Sequence, residues 1–194
     1  MVKNTREQIL QNAKMLFTLH GYNAVSIQDI ARECGISKGN LTYYFSKKEQ
    51  ILEALLDASA DETFFIPAQN PDELHAIFLH QKEIIESNAY YFWHHAQMGQ
   101  ISEKIRKQQE KINKEIRNLY KESIENLIAN GFLQREDPNG RRLEGEILEL
   151  VIDAIVMGVI YWLPYHQPDT KKVDFSAQDD LLHYCWNQLL PWRR

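Results

Sequence analysis

The spacing of apolar residues is the feature that most restricts how this chain folds. From one end to the other, apolar side chains recur at intervals of three and four residues, as in Ile9, Ala13, Leu16 and Phe17. This interval places side chains on one face of an α-helix, whereas a half-buried strand needs strict alternation, and no run of alternation persists. The pattern therefore predicts an all-α protein of about nine helices.

The most apolar segment, residues 147–163, raises the question of a membrane span. Glu149 and Asp153 interrupt the segment and Pro164 closes it, so it is too short and too charged to cross a bilayer. Its second half is apolar on all sides and predicts a helix that is covered all round. The first residues contain no long apolar run, which argues against a secretory signal. These features predict a cytoplasmic protein without membrane contact.

Charge is distributed unevenly along the chain. The net charge is −5, which by itself argues against a surface that binds nucleic acid everywhere. Residues 1–50 nevertheless hold seven Lys and Arg against four Asp and Glu, a net charge of +3. The remaining residues hold 15 against 23, a net charge of −8. A basic N-terminal part on an acidic remainder predicts that only the N-terminal part meets a polyanion.

Two short helices joined by a tight turn are predicted to follow the first helix. Ser26 and Asp29 have the form of a capping box and start one short helix, which Gly35 stops. Ser37 starts the next helix two residues further on. Two short helices with a glycine-containing turn, and a longer helix packed across them, form a helix-turn-helix unit.

The second of these short helices has one face suited to a protein core and one face suited to DNA. Leu41 and Phe45 fall together on the inward face and are expected to anchor the helix. Outward, Asn40 offers an amide that reads a base edge, and Tyr43 offers a ring for thymine methyls or sugars. Thr42 adds a methyl and a hydroxyl group. The outward face has the chemistry of a major-groove reader.

Two more helix starts are predicted from the capping-box pattern. Thr5 with Gln8, and Ser46 with Glu49, have this form, so the first and fourth helices are expected to begin there. Ser37 and Ser46 would then lie at helix N-termini, where free N–H groups and the helix dipole favour a phosphate. A serine in this position is also an ordinary helix cap, and both interpretations stay open.

Residues 35–50, GISKGNLTYYFSKKEQ, resemble the DNA-binding domain of TetR-family transcriptional repressors, whose pattern reads GVSKGTLYHYFxSKEALL. The resemblance covers roughly residues 5–60 and requires a glycine, hydrophobes and aromatics in fixed order. Family members often have an aromatic residue where this chain has Thr42, so no operator sequence is carried across. The DNA contacts that the resemblance implies are Ser26, Gln28, Ser37, Lys38, Gly39, Asn40, Thr42, Tyr43, Tyr44 and Lys48.

The resemblance also implies how the chain is divided and assembled. Residues 1–48 would form the DNA-binding domain, linked through a helix at 49–62 to an effector-binding and dimerisation domain at 63–194. A dimer engages two half-sites about one helical turn, or ~34 Å, apart, so the partner is expected to be a palindromic double-stranded DNA operator. The alternative is that the last helices only fill the core of a monomer. The residues expected at the homodimer interface are Val156, Val159, Ile160, Leu182, Cys185 and Leu189.

An aromatic segment at residues 89–96 is predicted to line a pocket for a small-molecule effector. Apolar walls with the polar tips of Tyr, Trp and His are typical of such pockets. Aromatic residues at helical spacing also pack ordinary cores, and this alternative stays open. The candidate pocket residues are Phe78, Tyr90, Tyr91, Trp93, His94, Met98, Tyr120 and Trp162.

The combined pattern predicts a dimeric repressor that a small-molecule effector releases from its operator. A constitutive DNA-binding regulator or organiser controlled by a protein partner is the alternative. No Ser/His/acid order, Gly-rich phosphate loop or metal-ligand spacing stands out, so neither an enzyme nor a cofactor is expected. His94 and His95 diverge by about 100° on a helix, so no metal site is expected there.

Overall fold

A computed structural model describes residues 4–60, 66–166 and 179–193 of the chain. Within these ranges the protein is all-α, as predicted, with ten α-helices, a terminal 3-10 turn at Leu190–Trp192, two isolated β-bridges and no strand. The count exceeds nine because the aromatic segment forms two single-turn helices. The helices are α1 Thr5–His20, α2 Ile27–Glu33, α3 Lys38–Tyr44, α4 Lys48–Ala60, α5 Pro71–Ser87, α6 Ala89–Phe92, α7 His95–Met98, α8 Glu103–Ala129, α9 Gly145–His166 and α10 Asp179–Asn187.

The starts of α1 and α4 differ from those predicted. Asn4 caps α1, because its side-chain oxygen accepts a hydrogen bond from the Arg6 N–H at 3.1 Å. At α4 the side chain of Gln50 reaches back and its Oε1 accepts from the Ser46 N–H at 2.8 Å and from the Ser46 hydroxyl at 3.1 Å. The predicted caps Thr5 and Ser46 were therefore wrong. At α1 the neighbouring Asn4 meets a free N–H group of the helix instead, and at α4 the Gln50 side chain binds the residues that precede the helix.

The described residues pack as two compact units. Unit 1 contains residues 4–60 and 88–108, and unit 2 contains residues 66–87, 109–166 and 179–193. The core of unit 1 is built by α1–α4 together with Tyr90, Met98 and Ile105. The predicted boundary at residues 62–63 lies outside the described residues. Residues 88–108, which were predicted to belong to the second domain, pack with the N-terminal helices.

Helix α9 supplies the core of unit 2 and has the length and apolarity of a membrane-crossing helix. The acidic residues that interrupt its apolar sequence are bound by α8. Arg117 forms ion pairs with Glu149 and Asp153, and Lys121 Nζ lies 2.8 Å from Glu149 Oε1. The side of α9 that includes Ile152 and Ile155 is buried. Helix α9 is thus a core helix on one side, but the prediction that its second half is covered all round is wrong for the single chain, because Met157 and Tyr161 are exposed.

Helices α9 and α10 approach closely at Gly158. A Cβ atom on Gly158 would lie 2.2 Å from Cε1 of Tyr184, which is far inside van der Waals contact. The Tyr184 hydroxyl donates to the backbone oxygen of Ala154 at 3.2 Å. The small residues at 154 and 158 therefore admit the ring of Tyr184 from the same chain.

The predicted dimer interface falls on residues that are covered by their own chain. All six residues named for it are buried within the single chain: Val156, Val159, Ile160, Leu182, Cys185 and Leu189. Burial also raises the pKa of the Cys185 thiol to about 12. The exposed apolar residues of α9 lie on a different face, at Leu150, Met157, Tyr161 and Tyr165. The apolar surface of the six residues is already covered without a second copy.

We predict that Gly158→Ala lowers the free energy of unfolding by about 1–3 kcal/mol, because the added methyl overlaps the Tyr184 ring. Urea unfolding followed by circular dichroism measures this change. Adding Tyr184→Leu to Gly158→Ala should recover part of the loss relative to the sum of the two single changes. Strict additivity of the two changes would contradict this packing.

Candidate DNA-binding surface

Helix α3 presents the outward face that the sequence predicted. Leu41 and Phe45 are buried, at 0% and 4% exposure, in the core of unit 1. Tyr43 is 84% exposed and Tyr44 is 38% exposed, and their rings meet edge to face with centroids 5.3 Å apart. The three adjacent rings therefore divide into one anchor and two outward side chains.

The turn before α3 fixes the direction of that helix. Gly35 has a φ of +67°, a conformation that disfavours other residues. The Ile36 N–H donates to the Ala31 oxygen at 3.0 Å, and the Gly35 N–H donates to the Arg32 oxygen at 3.1 Å. These two bonds form a Schellman motif. Two hydrogen bonds and one glycine thus set the angle between α2 and α3.

Helix α1 holds the same turn from the other side. The side-chain amide of Gln8 donates to the Cys34 oxygen at 3.2 Å, and the amide of Asn12 lies 3.2 Å from the Cys34 sulfur. Both amides come from one face of α1, which packs against α2. The turn is therefore fastened to the longest helix of the DNA-binding unit.

The two predicted capping serines, Ser26 and Ser37, differ in whether their hydroxyl proton is available to a DNA phosphate. Ser37 Oγ accepts from the Asn40 N–H at 3.1 Å, so its own hydroxyl proton can be donated to a phosphate. The Ser26 hydroxyl instead donates to Asp29 Oδ2 at 2.6 Å. This bond from Ser26 lowers the pKa of the Asp29 carboxyl, which is therefore anionic at neutral pH. A phosphate contact is better supported at Ser37 than at Ser26.

The remaining predicted base contacts surround the exposed tyrosines. Lys38, Gly39 and Asn40 are exposed on the first turn of α3, and Gln28 is exposed on α2. Thr42 is half-buried, and its hydroxyl donates to the Gly39 oxygen at 3.0 Å. The hydroxyl of Thr42 is occupied by its own helix, so its methyl group is the part left to meet a base.

Lys48 was predicted to contact phosphate, but its amino group is used within unit 1. Nζ donates to the backbone oxygens of Tyr22 and Val25 at 2.7 and 2.8 Å and lies 4.0 Å from the centroid of the Tyr22 ring. Partial burial lowers the pKa of the Lys48 ammonium, while Glu49 acts in the opposite direction. Lys48 therefore fastens the start of α4 to the loop between α1 and α2.

Two exposed cations near this surface were missed by the sequence reasoning. Lys47 is exposed immediately before α4. Arg6 is exposed at the start of α1, and its Cζ lies 5.3 Å from the centroid of the Phe45 ring at the end of α3. The sequence signal for Lys47 was its position beside Ser46. The position of Arg6 follows only from the packing of α1 against α3.

The eight predicted pocket residues do not all belong to one unit. Tyr90, Tyr91, Trp93, His94 and Met98 lie in unit 1, and Phe78, Tyr120 and Trp162 lie in unit 2. In unit 2 the rings of Phe78 and Tyr120 lie 5.9 Å apart, and Trp162 stacks on His166 at 3.9 Å. Of the five residues in unit 1, only His94 and Met98 line a cleft that lies between residues 20–24 and residues 94–101.

Helices α2 and α3, with the tight turn at Gly35, form a helix-turn-helix whose second helix has an exposed outer face. Residues 9–55 match the family of bacterial regulatory proteins known as the tetR family. The chain has the TetR fold with its N-terminal helix-turn-helix domain, as the sequence predicted.

Sequence relatives match over part of the chain. YuxN, an HTH-type transcriptional regulator of Bacillus subtilis strain 168, is 43% identical over 63 residues, which cover 32% of this chain and 22% of YuxN. The HTH-type transcriptional repressor KstR2 of Mycobacterium tuberculosis is 31% identical over 104 residues, which cover 50% of this chain and 49% of KstR2. The chain thus spans about half or less of the length of these curated relatives.

Solved structures match over nearly the whole chain. A TetR-family transcriptional regulator from Marinobacter aquaeolei VT8 has a TM-score of 0.76 at 16% identity and covers 98% of this chain and 92% of its own. The KstR2 structure has a TM-score of 0.69 at 20% identity, with coverages of 100% and 97%. At these identities the likeness establishes the fold.

We predict that Lys48→Met changes the stability of the fold and that Lys47→Met changes the salt dependence of DNA binding. Lys48→Met should lower the free energy of unfolding by about 1–2 kcal/mol, because it removes two charge-assisted hydrogen bonds. Lys47→Met should leave unfolding unchanged and reduce the slope of log affinity for DNA against log salt by about 1. Urea unfolding and DNA titrations at several salt concentrations measure both. Equal changes in the free energy of unfolding for the two variants would contradict the structural role of Lys48.

Proposed function

We propose that this protein is a cytoplasmic DNA-binding transcriptional repressor that acts as a homodimer on a palindromic operator. The observation that carries the proposal is the outward face of α3. Its two tyrosines and Asn40 are exposed while Leu41 and Phe45 are buried. A rigid helix with this division of faces fits the major groove of B-DNA. The name of the relative KstR2, a transcriptional repressor, supports repression as the mode of action.

Sequence is read by the side chains at the centre of α3. Asn40 is the candidate for a bidentate contact with adenine, because its amide both donates and accepts. The ring of Tyr43 and the methyl group of Thr42 are candidates for contact with thymine methyls. Gly39 lets the helix backbone approach the bases, since it carries no side chain. Lys38 and Gln28 extend the contact surface at its edges.

The DNA backbone is held by groups around this centre. Ser37 has a hydroxyl proton to donate, and the Tyr44 hydroxyl reaches outward from the same helix. Lys47 and Arg6 supply the full positive charges that phosphates attract, and both are exposed. Lys48 acts indirectly by holding α4 against the loop that precedes α2.

A second copy packs on the exposed apolar face of α9. Leu150, Met157, Tyr161 and Tyr165 follow one another at intervals of seven, four and four residues, so they lie on one side of the helix. All four are exposed in the single chain. A contiguous exposed apolar stripe of this length marks an association surface. Dimerisation would place two α3 helices on successive major grooves.

A small-molecule effector releases the dimer from DNA by favouring a conformation that does not fit two successive grooves. This requires the effector to bind the two conformations unequally. In unit 2, the Tyr120 hydroxyl is fully buried and has no hydrogen-bond partner among the described residues. It lies in an aromatic cluster with Phe78 and Trp186. A buried hydroxyl without a partner supports a polar group of an effector as its partner.

We predict that Asn40→Ala and Tyr44→Phe weaken DNA binding in different ways. Asn40→Ala should cost about 1–3 kcal/mol on the preferred operator and relax the preference at one base pair of each half-site. Tyr44→Phe should weaken binding to all sequences by a similar factor, because the lost hydroxyl contacts phosphate. Selection from randomised duplexes, followed by titration of the selected sequence and a scrambled duplex, measures both effects. An unchanged preference profile in Asn40→Ala would refute the assignment of the reading face.

We predict that Met157→Glu dissociates the dimer, because it places a charge at the centre of the exposed apolar face of α9. Met157 is 59% exposed, so the single chain should tolerate the change. Leu79→Glu is the matched control, since Leu79 is 40% exposed on α5. Light scattering should give a monomer mass for Met157→Glu and a dimer mass for Leu79→Glu and for the unchanged protein. A dimer mass for Met157→Glu would show that another surface is used.

A further inference from the structure

Unit 1 contains a cleft of about 480 Å³ that the DNA-binding face does not use. One wall is the turn that follows α1, at residues 20–24, and the other wall is formed by α7 and its flanking residues, 94–101. The volume falls within the ordinary range of small-molecule sites. The cleft therefore joins the helix-turn-helix to a segment about 70 residues further along the chain.

The polar side of the cleft is made of imidazoles and amides. These side chains are His20, Asn23, His94, Gln97 and Gln100. The residues that line the cleft include no Asp, Glu, Lys or Arg. Imidazole and amide groups donate N–H hydrogen bonds, and no lining carboxylate opposes an anion. The set of donors suits a single negative charge, and the described residues contain no group of three or more His, Cys, Asp and Glu side chains that could hold a metal ion.

His94 is the best-placed donor of this set. It is half-buried, and desolvation lowers the pKa of its imidazole. Gly21, at a φ of +78°, faces it so closely that an added Cβ atom would lie 3.1 Å from His94 Nε2. The imidazole of His94, on one wall, therefore lies close to Gly21 on the other wall.

Apolar side chains also line the cleft. Ala24 is exposed on one wall, and on the other wall Ile101 is half-buried and Met98 is fully buried. A lining that combines N–H donors with apolar side chains fits a molecule with one charged end and a short hydrocarbon body. A phosphate is a poorer fit, because its charge is usually met by Arg or Lys.

We propose that this cleft binds a small monocarboxylate with a short aromatic or aliphatic body. The carboxylate accepts hydrogen bonds from His94, Gln97 and Asn23, and the hydrocarbon lies against Ile101 and Ala24. This assigns a ligand class to a site in unit 1, separate from the aromatic cluster of unit 2.

The regulatory consequence rests on the proposed function. The wall at residues 20–24 is part of the loop that Lys48 fastens to the start of α4. A ligand that spans the cleft ties this loop to α7 and so restrains the helix-turn-helix that follows it. Binding of the carboxylate itself does not depend on DNA and is measured without DNA.

The test uses benzoate and 3-phenylpropionate with the full-length protein, and benzamide as the neutral analogue of benzoate. Saturation-transfer NMR titration should give saturable binding of both carboxylates and at least fivefold weaker binding of benzamide. Gln97→Glu adds a negative charge to the cleft and should weaken benzoate binding at least fivefold. Gln11→Glu is the matched control, since Gln11 is exposed on α1 outside the cleft, and should bind benzoate as the unchanged protein does.

Three outcomes would overturn the proposal. The first is the absence of saturable binding of either carboxylate, and the second is equal binding of benzoate and benzamide. The third is an equal effect of Gln97→Glu and Gln11→Glu on benzoate affinity. Binding with these specificities but without any effect on DNA affinity would keep the site and refute its regulatory role.

Discussion

Burial of Leu41 and Phe45 in the core of unit 1 is the interaction on which the DNA-binding surface depends. These two side chains lie four residues apart on a helix of seven residues, so they occupy one face and leave little freedom of rotation. Because they are inside, Tyr43 must be outside, and Tyr44 follows at the edge. Helix propensity alone would not hold so short a helix in water. Its packing against α1 and α2 determines both its existence and its direction.

Backbone contacts extend this constraint to the neighbouring elements. The Schellman motif at Gly35 sets the angle of α3, and Lys48 binds the loop before α2 to the start of α4. The compact unit also takes in residues 88–108, so the DNA-binding helices share a core with α6 and α7. A change at α7 therefore has a direct physical route to the helix-turn-helix, through the close approach of His94 and Gly21.

The sequence predicted those features that are determined locally. Ser26 and Ser37 cap their helices as expected, since a cap needs only the right side chain three residues before a free N–H group. The inward and outward faces of α3 followed from helical geometry. At some helix starts two neighbouring side chains are both able to bind the backbone, as Asn4 beside Thr5 or Gln50 beside Glu49. The local sequence pattern did not decide between them.

Features that depend on tertiary packing were not predictable. The second half of α9 is apolar all round, so its periodicity does not indicate which face packs against α10. The residues predicted for the dimer interface are therefore residues that are buried within their own chain. A lysine near a helix start has the same sequence signal whether it meets phosphate or, like Lys48, two backbone oxygens. The contact between Arg6 and Phe45 joins residues almost forty positions apart, and only the fold brings them together.

The central claim is that two outward α3 helices of a dimer bind successive major grooves of one DNA site. Hydroxyl-radical footprinting of the unchanged protein, on the DNA upstream of its own coding sequence, tests this claim most directly. We expect two protected segments on one face of the duplex, with centres about 10 base pairs or one helical turn apart. Absence of a protected site at low salt, or one uninterrupted protected segment without the helical repeat, would contradict it.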